Sequence, residues 1–286
     1  MWRHRVSTLA TIATLVLLTG SLRGQEIEQR DGTVVLIPQR ADSVNVVTSV
    51  SLRQTDSVVR YVFTLRNRAV SAQDLHKYGL EVSRAAVEST AVPTGWRVSF
   101  PAQDQRWRQL FGRVDSLATL AYVGLGPGAR LKPGESAGGF KVTSRWLPGL
   151  TPSWVQGFIP VPKVPFGAEP DSIVGGSLFE NSVSDTTIGP VVPPEAVDEP
   201  AAIVGQMEEL LGFACRREWI DNRGICNSLT RKLQQVGRSI ERGRAKTARN
   251  QLRAFRSELE AQRGKHVDES AFSVLDLYAR RLAERL

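Results

Sequence analysis

The chain has 286 residues, 41% hydrophobic and 23% charged, which is ordinary globular material and enough for two hydrophobic cores. Its 37 Lys and Arg outnumber 29 Asp and Glu, and the excess is local: residues 201–286 hold 17 basic groups against 11 acidic, while residues 25–200 hold 17 against 18. Attraction to an acidic partner is therefore expected of the C-terminal third alone, and two cysteines with no neighbouring histidine exclude a four-ligand zinc site.

At the N-terminus Trp2-Arg3-His4-Arg5 precedes an uncharged, mostly apolar run, Leu9 to Leu18, followed by small residues at Thr19-Gly20-Ser21 and Gly24. This is the layout of a secretory signal peptide over residues 1–24. The run is about half the ~20 residues that a spanning helix requires. Export to the periplasm, cell surface or extracellular space is the expectation, with no transmembrane segment in the mature chain.

From about Thr33 to Pro160 the period is two. Val46, Thr48, Val50 and Leu52 alternate with more polar neighbours, as do Val59, Tyr61, Phe63 and Leu65, and then Trp96, Val98 and Phe100. Leu117–Val123 and Phe140–Thr143 are further strand candidates, and Gly- and Pro-rich turns separate the runs. Each sheet must bury its apolar face, so the pattern predicts a β-sandwich of immunoglobulin-like or fibronectin-like type over 25–185, with an irregular C-terminal extension. The proline-rich stretch 186–200 reads as a semi-rigid linker.

Beyond Ala201 the period becomes helical. Four apolar stripes follow: Ile203 to Leu211, Ile225 to Ile240, Ala245 to Leu259 and Ala271 to Leu282. Gly243 and Gly264 are placed to stop the second and third helices. Asp268 is suited to cap the fourth, with Val267 and Phe272 as a hydrophobic staple. The expectation for 201–286 is an antiparallel four-helix domain. The run Gly224-Ile-Cys-Asn-Ser-Leu-Thr-Arg-Lys-Leu233, with Leu252-Arg-Ala-Phe255, Leu259-Glu-Ala-Gln-Arg-Gly-Lys265 and Leu275, resembles the FIMAH-type helical domain of secreted microbial proteins. That resemblance covers 203–286, rests best on Ala254-Phe255 and Gly264-Lys265, and implies an accessory or attachment module without catalytic residues.

Four features bear on function. Gly134-Glu-Ser-Ala-Gly138 spells G-x-S-x-G, but a nucleophile elbow needs a strand before it and a helix after it. Here Leu131-Lys-Pro133 leads in and a strand pattern from Phe140 leads out, so Ser136 is expected in a turn and the glycines at a bend or bulge. Cys215 and Cys226, an even pair in an exported chain, are expected to form a disulfide worth about 3 kcal/mol. Lys246, Arg249, Arg253 and Arg256 repeat at 3-4-3 spacing and line one helix face over about 15 Å. They are either a solvated face or a contact for a polyanion such as an acidic cell-surface polysaccharide or lipid head groups. Specific nucleic-acid binding is disfavoured, because no aromatic residues interleave with the charges. Trp107 and Trp154 are candidates for a sugar-stacking platform, against the commoner fate of burial.

No cofactor or metal is implied; neither a calcium-loop pattern nor a recognisable carboxylate pair stands out. The expected function is non-catalytic: binding or structural, at the cell surface or outside the cell, with the helical module as attachment element. The competing expectation is a carbohydrate-binding or small hydrolytic protein whose site lies on the sandwich loops, taking neutral or acidic polysaccharide.

Overall fold

The computed structural model describes residues 26–28, 34–36, 44, 46–55, 57–99, 118–158 and 182–286. The leader expected at 1–24, Trp107, Phe100 and residues 159–181 lie outside the described residues. A small hairpin, β1 (Glu26–Glu28) and β2 (Val34–Leu36), precedes the main body. The alternating runs then become strands: β3 (Val46–Thr55), β4 (Val58–Asn67), β5 (Leu75–Val82), β6 (Ser89–Ala91), β7 (Trp96–Ser99), β8 (Ala118–Gly124), β9 (Ser136–Ser144), β10 (Leu147–Gly157) and β11 (Ser182–Val192).

They form two antiparallel sheets, β3-β4-β9-β6 and β11-β10-β5-β8-β7. The first has the A-B-E-D order of an immunoglobulin sandwich, and β5-β10-β11 has the C-F-G order of its partner sheet. β7 and β8 widen that second sheet beyond β5, and they follow β6 in the chain, where the added strands of a variable-type domain would precede it. Alternation decides the core as expected: Val59, Tyr61, Phe63 and Leu65 on β4 are all buried. They share a core with Phe140, whose ring meets Trp96 edge-on at 4.9 Å and Tyr122 at 5.3 Å.

The first half of the stretch read as a linker is strand. Residues 186–192 continue β11, with Pro190 opposite Pro148, leaving Pro193–Glu199 as the connection into the first helix. The physical reason is position: β11 is an edge strand, and a proline there forfeits a hydrogen bond that no neighbour would have made.

Four helices follow: α1 (Pro200–Arg216), α2 (Arg223–Glu241), α3 (Ala245–Gln262) and α4 (Glu269–Arg285). Gly243, at φ +65°, closes α2: its own N–H reaches Ile240 O at 2.9 Å, and the next amide, Arg244 N, reaches Ser239 O at 2.8 Å. Gly264, at φ +71°, turns the chain after α3, and Asp268 accepts from Ala271 N at 2.8 Å to cap α4, with Val267 and Phe272 buried beside it. The helices pack in the ring order α1-α2-α3-α4, with α4 also lying on β3 and α1 touching β10. Sandwich and bundle consequently share one continuous hydrophobic cluster.

Candidate functional site

Where the bundle docks on the sandwich, three arginines are engaged. Arg217 pairs with Asp185 and donates to Thr186 O at 3.0 Å. Arg281 donates to Pro194 O at 2.9 Å, and Arg281 and Arg285 both pair with Asp198. The α2–α3 hairpin makes no comparable packing with either sheet. Of its nine Lys and Arg between 231 and 256, two are paired: Lys232 with Glu258, and Arg256 with Asp276 at 2.8 Å. The other seven, Arg231, Arg238, Arg242, Arg244, Lys246, Arg249 and Arg253, are exposed and have no ion-pair partner among the described residues. Of the four-residue stripe expected on α3, Lys246, Arg249 and Arg253 thus stand free on one face, while Arg256 is half-buried and tied to α4.

The start of α3 adds to this field. Its first turn holds no acidic residue, and Arg244 stands at the capping position without a side-chain hydrogen bond. The positive end of the helix dipole and its unpaired amides are left beside Arg242, Arg244 and Lys246. Four of the free cations outside α3, at 231, 238, 242 and 244, were not part of the stripe; only the packing of α2 against α3 brings them to the same hairpin.

The platform reading of Trp154 does not hold, because the residue is 6% exposed. The indole lies against Gly79, where an added Cβ would come within 1.9 Å of the ring. A glycine at that point of β5 leaves room for a ring that would otherwise have to stand out from the sheet.

Ser136 opens β9 opposite Arg66, and a strand follows it where an elbow would need a helix. Gly134, at φ +92°, makes the turn, in which Glu135 N reaches Lys132 O at 2.9 Å. Gly139, at φ +88°, is the extra residue of a bulge between Phe63 and Thr64. The one histidine downstream, His266, bonds Asp221 at 2.8 Å within the bundle.

Cys215 and Cys226 are joined, with Cα atoms 6.1 Å apart, across the connection from α1 to α2. That connection also reaches the sandwich through Arg217 and carries the buried Trp219, which meets Phe213 edge-on at 5.3 Å. Beside it, where β3, β10 and β11 approach one another, lies a cleft of about 390 Å³.

The helical part can now be placed. Its residues 204–284 match the family model described as the FIMAH domain. These four helices are a FIMAH domain. The match leaves the sandwich outside, and a comparison with curated proteins finds no match. Among solved structures, a GH20 exo-β-N-acetylglucosaminidase from Vibrio harveyi is similar at 13% identity and a TM-score of 0.24, both as an inactive mutant and in complex with N-acetylglucosamine. The likeness covers 55% of this chain but 19% of the glycosidase chain. An uncharacterized protein from Nocardia farcinica with an immunoglobulin-like fold is similar at 15% identity and a TM-score of 0.23, over 50% of this chain and 96% of that one. At scores this low the sandwich is defined by its own strand order. The disulfide of the FIMAH domain fits an oxidising compartment, and among the described residues no helix is long and apolar enough to cross a membrane.

Proposed function

We propose that this is an exported, non-catalytic protein in which the FIMAH domain attaches the immunoglobulin-like sandwich to a polyanion of the cell surface or extracellular matrix. The observation that carries this reading is a concentration of charge: seven exposed cations on the outward hairpin have no ion-pair partner among the described residues. A folded domain that needed these charges only for solubility would gain by interspersing carboxylates, yet residues 231–256 contain one, Glu241. Lys246, Arg249 and Arg253 span about 10 Å along α3, a geometry suited to an extended chain with repeated carboxylates or sulfates. Export is supported by the leader-like N-terminus and by the disulfide.

The test is binding of the full chain to heparin and to a polyuronate at low and at physiological salt. Binding should weaken as salt rises, and Arg249→Glu with Arg253→Glu should weaken it by about tenfold or more without moving the unfolding midpoint. Equal binding by the double variant would refute the attachment role of this face.

A further inference from the structure

The side of the sandwich that faces the FIMAH domain is closed only in part. β3 and β11 are edge strands there, each with backbone groups turned away from its single neighbour. On β3 the amides of Val50 and Leu52 donate to the hydroxyls of Ser270 and Ser273, at 3.3 and 3.2 Å. Residues of an antiparallel strand alternate in direction, and the β3–β4 register runs unshifted from Val46 to Thr55. The backbone groups of Val46 and Thr48 must then point outward like those of Val50 and Leu52. No hydrogen bond from a described residue of the FIMAH domain reaches them. On β11 the outward carbonyl of Thr186 is taken by Arg217, which places Ser184, two residues away, on the same free edge.

Val46, Thr48 and Ser184 all line the 390 Å³ cleft, which Arg217 and Trp219 bound from the helical side. Strand-edge groups at Val46, Thr48 and Ser184, for which no hydrogen-bond partner is found among the described residues, therefore face one cavity of ligand size, at a domain boundary. Its charge is also one-sided. The acidic lining residue, Asp185, is already held by Arg217, whereas Arg68 is exposed and has no ion-pair partner among the described residues.

We propose that this cleft binds an extended peptide, which adds a strand along Val46–Thr48 of β3 and places a carboxylate against Arg68. Main-chain hydrogen bonds supply the affinity in such strand addition, and the walls select alternate side chains. Val155 and Val183 in the wall favour small or β-branched residues. The cleft is separate from the basic hairpin, so either site can fail without the other.

The experiment uses the full chain and an acetylated six-residue peptide, Thr-Val-Thr-Val-Ser-Asp, with a free C-terminus. Amide exchange at Val46 and Thr48 should slow by at least about tenfold on addition of the peptide. Arg68→Glu should lower affinity by a similar factor with an unchanged unfolding midpoint, since the residue is exposed. Three results overturn the proposal: no protection by the peptide, equal affinity in Arg68→Glu, or amides already protected in the free chain, which would mean that the chain itself covers this edge.

Discussion

His76 lies edge-on to Phe158 at 5.6 Å, and the Arg130 guanidinium covers the same ring at 3.0 Å from its centroid. Burial first, then the charges of Lys77 and Arg130, push the imidazole from its ordinary 6.5 down to about 4. Folded His76 is thus neutral where the unfolded chain already binds a proton. Stability present above pH 6.5 should drain away as pH falls toward 4, by an amount on the order of 1–2 kcal/mol for a ring partly screened by solvent, and change little from this group below that. Urea titrations of the wild type and His76→Gln at pH 7 and pH 4.5 measure it. The variant should lose distinctly less stability on acidification, and parallel losses would refute the assignment. Nothing at residue scale in the sequence distinguishes this histidine, because its surroundings come from β5, the Pro127–Arg130 turn and the end of β10 together. Trp154 teaches the same point. Its neighbours in sequence, Ser153 and Val155, do not decide it; its fate was set by Gly79 on the adjoining strand.

Among the elements, α4 shows where hydropathy stops being informative. Ala271, Val274, Leu275, Tyr278 and Leu282 give the stripe that the sequence displays, and all are buried. Ser270, Ser273 and Leu277 are buried as well, because α4 lies between its own bundle and the edge of β3. Serines carry no hydrophobic signal, so the second buried face was not legible; their worth lies in accepting strand amides. Replacing Ser270 and Ser273 by alanine should cost about 1–3 kcal/mol at each site, since a buried N–H is left without an acceptor. Ser257, exposed on α3, makes the control for a change of helix propensity alone. Denaturant midpoints that agree for all three alanine variants would argue against the edge-capping role. The β11 misreading has a related cause. Proline density marks a linker only where every backbone donor is needed, and an edge strand needs half of them.

For the molecule as a whole, a two-domain sequence folds into a body with one hydrophobic cluster. The β period, the helical period, the helix ends and the disulfide pair could all be read in advance, since each depends on neighbours within a few turns or on the compartment. The apposition of the two modules could not, because it depends on contacts such as Tyr278 Oη to Pro148 O at 2.7 Å, between residues 130 apart. The shared cluster predicts one cooperative unfolding transition. Helical ellipticity and tryptophan emission, reported from both modules by Trp96, Trp154 and Trp219, should melt together. Two separated transitions would show that the modules are thermodynamically independent.

The Ser270 and Ser273 bonds to β3 also set an order in time. They join positions 220 and 221 residues apart, so the strand that starts the main sandwich stays unsealed until α4 has emerged. Closing so long a loop is slow relative to local pairing. During that interval β3 is a bare edge, the kind of surface that recruits stray strands. α4 acts as the latch of assembly, and a chain released before it would be sticky rather than merely incomplete.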